Sequence, residues 1–154
     1  VTYAENTSVP VERSKAEIEA VLVRYGAEAF AQGWEDGRAV IQFKASRRLL
    51  RFDLPIPPIT DKAFRLTASG RERTKPSIAD AHAQELRRRW RALLLTIKAK
   101  LESVESGIET FEHAFMGNIV MPDGRTVAQH VTPKIEEAYE TGRVPLMLPP
   151  KCDG

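Results

Sequence analysis

The longest helical pattern in the chain, over residues 77–115, constrains the fold more than any other stretch. Leu86, Trp90, Leu93, Leu94, Ile97, Leu101, Val104, Ile108, Phe111 and Phe115 recur in steps of three or four, a single stripe of a 3.6-residue repeat. Such a stripe must be buried. At about 1.5 Å of rise per residue, the helix is several times longer than any strand the sequence offers. It therefore reads as a spine on which shorter elements pack. Gly107 interrupts it, and Ser106-Gly107-Ile108-Glu109 has the form of a capping box that opens a second helix. Because Ile108, Phe111 and Phe115 keep the earlier phase, one helix with a weak point is expected.

The spine is strongly basic on its polar side. On a helical wheel Arg87, Arg91 and Lys98 lie along one flank of the stripe, and Arg89 and Lys100 along the other. Two readings stand. The methylene stems cover the edges of the stripe while the charges reach water, or the flank is a ridge that faces phosphates. The same asymmetry holds for the whole chain. Residues 38–102 hold 16 Lys or Arg against 6 Asp or Glu, and the remainder holds 7 against 15, for a net charge of only +2. Acidic and basic segments either pair with each other, within the fold or across a dimer, or leave the basic centre for a polyanion.

A length of 154 residues suits a single domain, and 42% hydrophobic residues are enough to build a core. Mean hydropathy is negative and no apolar run approaches the roughly 20 residues of a membrane span, so a soluble protein is expected. No secretory signal is read at the start of the chain. The lone Cys152 has no internal disulfide partner and fits a reducing cytoplasm, with an intermolecular bridge as the alternative.

In chain order, residues 2–11 read as an extended lead. Ser14-Lys15-Ala16-Glu17 is a capping-box signature, and Ile18, Val21, Leu22 and Tyr25 give an amphipathic helix closed by Gly26. Three strands follow, at 28–34, 38–45 and 48–54, joined by Asp36-Gly37 and Ser46-Arg47 turns. Ile41 and Phe43, with Leu50, Phe52 and Leu54, share the face expected to meet the spine. Arg38, Gln42, Lys44, Leu49, Arg51 and Asp53 form the other face, either a solvated surface or a basic platform that lacks the aromatics on which single-stranded bases stack. Pro55, Pro57 and Pro58 stop the sheet, and a flexible basic loop is expected at about 66–77. Beyond the spine, Ile119-Val120-Met121 reads as a short strand and Pro122-Asp123-Gly124 as a turn. Thr126 and Thr132-Pro133 offer starts for two short helices or one bent helix ending at Gly142. The apolar tail from about 143 to 154 is expected along the domain or on a second subunit. The fold class is thus α+β: N-terminal helix, three-stranded antiparallel sheet, long central helix on the sheet, short C-terminal helical segment and extended tail.

Signatures of catalysis are missing. His82, His113 and His130 are widely separated and show no metal-ligand spacing, so no metal or cofactor is expected. There is no glycine-rich phosphate loop, nucleophile elbow or His-Glu-x-x-His pattern. Glu109, Glu112 and His113 cluster, which fits a solvated helix surface better than a site. A non-enzymatic protein is expected.

Several segments resemble small uncharacterised proteins encoded by bacteriophages and prophages. They are Thr2-Tyr3-Ala4-Glu5-Asn6-Thr7-Ser8-Val9-Pro10-Val11 continuing to Tyr25-Gly26-Ala27, Arg88-Arg89-Trp90-Arg91-Ala92-Leu93 with Ile97-Lys98-Ala99-Lys100-Leu101-Glu102, Met121-Pro122-Asp123-Gly124-Arg125-Thr126-Val127, and Ala138-Tyr139-Glu140-Thr141-Gly142-Arg143-Val144-Pro145. The resemblance spans most of the chain and implies a phage or prophage setting in a bacterial cytoplasm. It assigns no activity and no functional residue. The order helix, three antiparallel strands, long helix is also similar to the core of single-strand annealing proteins, in topology alone.

Two functions follow as expectations. One is a nucleic-acid-binding accessory protein of phage DNA metabolism, for single-stranded binding or annealing among other roles. Lys44, Arg47, Arg48, Arg51, Arg71, Arg73, Lys75, Arg87, Arg91 and Lys98 would meet phosphates, and homo-oligomers are expected with it. The other is a protein-interaction module, such as an inhibitor of a host factor or an assembly component, motivated by the apolar tail and the balanced total charge.

Overall fold

A computed structural model describes residues 4–150, so Cys152 and the first residues of the expected lead lie outside it. The elements run α1 (Val11–Arg24), β1 (Ala29–Glu35), β2 (Arg38–Ala45), β3 (Arg48–Pro55), α2 (Lys62–Arg65), α3 (Lys75–Glu105), α4 (Phe111–Phe115), a 3-10 turn (Met116–Asn118) and α5 (Val127–Thr141). The strands form one antiparallel sheet in the order β1-β2-β3. The fold is α+β, as the periodicities indicate.

Local chemistry accounts for most of the boundaries. At the end of α1, Ala27 N–H donates to Leu22 O and Gly26 N–H to Val23 O, a Schellman closure that puts Gly26 at a φ of 87°. The helix begins earlier than the capping-box pattern indicates. Pro10 is its N-cap and offers no side-chain acceptor, while Ser14 lies inside the helix and is fully buried. Asp36-Gly37 and Ser46-Arg47 both adopt positive φ at both central positions, the geometry of the two-residue hairpin turn whose twist matches the strands.

The core is one cluster. Ile18, Val21 and Leu22 of α1, Ile41 and Phe43 of β2, Leu50 and Phe52 of β3, and Trp90, Leu93, Leu94, Ile97 and Leu101 of α3 meet in it, with Ala114 and Phe115 of α4. Phe43 and Phe52 stack at 6.2 Å between centroids, and Phe115 meets both edge-on at 6.2 and 6.3 Å. α3 lies along α1 and closes over the inner face of the sheet with its apolar seam.

The spine is shorter than its pattern. α3 stops at Glu105, where Ile108 N–H reaches Ser103 O and Gly107 N–H reaches Val104 O, with Gly107 at a φ of 72°. A new helix starts at Thr110, whose side chain accepts from His113 N–H, and not at Ser106. Ile108 is 77% exposed although it keeps the phase. The turn swings α4 back so that Phe115 enters the core from another direction. Gly at a helix end overrides a stripe that runs through it, because closing the helix satisfies carbonyls that continuation would satisfy no better.

Residues 119–121 pair only through isolated bridges, Leu50 with Ile119 and Val120 with Thr126. They lie against the free side of β3, where Val120 N–H donates to Leu49 O at 2.8 Å and Asn118 Nδ2 to Arg51 O at 3.1 Å. α5 is a single helix with Pro133 inside it. It opens on a complete Thr126-Gln129 capping box and ends at left-handed Gly142. Among the described residues no helix is long and apolar enough to cross a membrane.

Candidate nucleic-acid interface

Five of the ten cations expected to meet phosphates are tied to carboxylates. Arg51, only 16% exposed, lies 2.7 Å from Asp53 and 2.6 Å from Glu35. Lys44 pairs with Glu28 at 3.3 Å and Arg48 with Glu112 at 3.9 Å. Glu17 of α1 receives Arg91 at 3.0 Å and Lys98 at 3.9 Å. Burial pushes the Glu17 carboxyl up, yet the hydrogen bond and charge of Arg91, with help from Arg13 and Lys98, leave it below its ordinary value. The outer sheet face is closed further by Arg38 at 3.7 Å from Asp53. Much of the basic excess of residues 38–102 therefore meets acids from the flanking acidic segments, the intramolecular alternative of the two left open by composition.

The remaining five differ among themselves. Arg87 donates through Nε and Nη2 to Gln84 Oε1, and Gln84 in turn donates to the carbonyls of Glu5 and Thr7. Arg73 Nε donates to Leu66 O at 3.2 Å. Arg47, Arg71 and Lys75 are exposed and have no carboxylate partner among the described residues. They do not converge. Arg47 sits at the end of the sheet beside α4, while Arg71 and Lys75 sit at the start of α3, a 31-residue helix about 45 Å long.

The basic segment before α3 is built rather than loose. Arg73 N–H donates to Arg65 O and Thr67 N–H to Arg71 O, each at 2.8 Å, and Leu66 bridges Glu72. α2 inserts Phe64 into the fold beneath it, with Asp61 Oδ1 capping Ala63 N–H. These bonds gather Lys62, Arg65, Arg71, Arg73 and Lys75 around one small hairpin in which Glu72 is the only acid. Lys62 and Arg65 were not among the expected contacts. The signal was available, because residues 62–75 hold five cations against one acid, but Lys62 and Arg65 precede the polar stretch that marks the loop.

A cleft of about 770 Å³ opens beside this hairpin, lined in part by Asp61, Phe64, Arg73, Glu85, Arg88 and Arg89. Its walls carry both signs of charge. Glu85 accepts from Arg88 at 2.6 and 2.8 Å and from Arg89 at 2.6 Å, and the Arg88 bonds, against burial and with Arg89, hold its carboxyl below the ordinary value. The cleft thus answers its own charges, and the outward side of the hairpin is where cations remain uncommitted.

Two of the three histidines, His82 and His130, have partners for their rings. His82 Nε2 lies 2.9 Å from Pro57 O and its ring meets Phe64 edge-on, and His130 Nε2 lies 2.7 Å from Asp123 Oδ2. Among the described residues no group of three His, Cys, Asp or Glu is placed to hold a metal ion. Comparison with known proteins finds no matching family model, no matching curated protein and no matching solved structure.

Proposed function

We propose that this chain is a nucleic-acid-binding accessory protein of phage or prophage DNA metabolism that meets the phosphate backbone through residues 62–75. One observation carries the reading. Lys62, Arg65, Arg71 and Lys75 are exposed and without carboxylate partners among the described residues, whereas Arg51, Arg91 and Lys98 are paired with carboxylates of the fold. Contact of this kind is electrostatic and independent of base sequence. The outer sheet face, with Ala29, Ala31 and Gly33 on β1 and Val40, Gln42 and Leu49 beyond them, supplies no aromatic on which bases could stack.

Anisotropy of labelled single- and double-stranded oligonucleotides tests the reading. About four phosphate contacts give a log-log salt slope of about −3.6 on duplex and about −2.8 on single strands. Arg71→Glu with Lys75→Glu should weaken binding to every sequence alike, and no binding at low salt ends the reading.

The second reading, a protein-interaction module, is favoured by α5 and the tail. None of the α5 residues is buried, Tyr139 is 89% exposed, and Ile135 of α5 and Val144 and Leu146 of the tail are exposed too. A host or phage partner would cover them. Ile135→Lys with Tyr139→Lys should abolish capture of such a partner from host lysate without lowering the thermal midpoint, and a wild-type chain that captures nothing argues against it.

A further inference from the structure

The two edges of the sheet are treated differently. With Asp36-Gly37 as a two-residue turn, Glu35 and Arg38 form a hydrogen-bonded pair, so the backbone groups of residues 29, 31, 33 and 35 point to β2. Those of Phe30, Gln32 and Trp34 point away from it. The same count on β3 turns residues 49, 51 and 53 outward, and there Leu49 O and Arg51 O are the atoms that accept from Val120 and Asn118. The β3 edge is covered over residues 49–51. On β1, no hydrogen bond reaches the backbone of Phe30, Gln32 or Trp34 from any described residue.

β1 also lacks the usual protection of an open edge. Ala29-Phe30-Ala31-Gln32-Gly33-Trp34-Glu35 contains no Lys, Arg or Pro and pairs with β2 in register throughout, without a bulge. Six of its seven residues are exposed, and Trp34 is 65% exposed.

We propose that β1 pairs antiparallel with β1 of a second copy about a two-fold axis through Gln32, joining two three-stranded sheets into one. The occupant is argued from the strand itself. In this register Gln32 faces Gln32, and Phe30 faces Trp34 of the second copy on the side of the sheet that carries the core. Each of these facing pairs exchanges two backbone hydrogen bonds, which uses every outward group of β1. Phe30 with Trp34 is an aromatic cross-strand pair, among the stabilising combinations on a sheet. On the other face Ala29 meets Glu35 of the second copy, so that the carboxylate lies one strand from Lys44. Small Ala29, Ala31 and Gly33 let the two outer faces approach. The proposal stands apart from the nucleic-acid reading, since the hairpin at 62–75 is not used.

The test is the molar mass of the full chain by sedimentation equilibrium. The wild type is expected to dimerise in the micromolar range. Gln32→Lys sets two ammonium groups opposite each other on the axis and is expected to raise the dimer dissociation constant about tenfold or more, with far-UV dichroism unchanged. Register is read separately in a Cys152→Ser background. Paired Cα atoms on the axis stand about 5.5 Å apart, within disulfide reach, so Gln32→Cys should give a covalent dimer on oxidation. Ala29→Cys, which faces Glu35, should not. A wild type that stays monomeric overturns the proposal. So does a dimer indifferent to Gln32→Lys, or cross-linking through Ala29→Cys as efficient as through Gln32→Cys.

Discussion

Ser46 and Arg47 hold φ angles of 49° and 61°, a region that side chains other than glycine and asparagine enter at a cost. The β2–β3 hairpin imposes this, because only a turn of that hand follows the twist of its strands. Arg47→Gly should therefore stabilise the protein by about 0.5–1 kcal/mol, read as a higher urea midpoint. A second residue is strained in another way. Ser14 is fully buried and its hydroxyl finds no partner among the described residues. Ser14→Ala removes an unpaired polar group and adds a better helix former, so a gain of about 1 kcal/mol is expected, and a loss would show that the hydroxyl is bonded after all. Glu85 and Glu17 give the pH dependence. Both carboxyls are held below their ordinary values, by Arg88 before Arg89 for Glu85 and, against burial, by Arg91 for Glu17. Each contributes stability above its unfolded pKa and loses it as pH falls through the lowered folded value. The urea midpoint should drop in acid, and less steeply in Glu85→Gln. An unchanged slope in that variant would mean other carboxylates carry the effect.

At the scale of elements, α3 shows how far periodicity reaches. Ile97 and Ile108 belong to the same stripe by spacing, yet Ile97 is fully buried and Ile108 largely exposed. Ile97→Ala should cost about 2–5 kcal/mol and Ile108→Ala less than about 0.5, both measured by urea unfolding. Similar losses at the two sites would restore a continuous spine. The strands and both hairpin turns were legible because alternation and turn chemistry are local. So was the start of α5 at Thr126. The α1 start was not, since Ser14 has the composition of a cap and is instead used inside the helix, with Pro10 ending the lead.

For the whole molecule the decisive quantity is where charges end up. Arg91 and Arg71 are alike as residues, but the first is held by Glu17 across the α1–α3 contact and the second forms no ion pair among the described residues. Arg91→Glu should therefore destabilise the fold while leaving oligonucleotide affinity per folded molecule unchanged. Arg71→Glu should do the reverse, and equal effects of the two on affinity would show that α3 itself meets the phosphates. Sequence alone determined the α+β class, the inner faces of the strands, the hairpins and the basic excess of the central segment, because each depends on neighbours along the chain. Which cations stay free, which sheet edge is covered and where the spine stops were decided only by tertiary structure. Those outcomes depend on carboxylates and backbone groups brought in from distant segments, such as Glu17 against Arg91 and Val120 against Leu49, and no local pattern records such meetings.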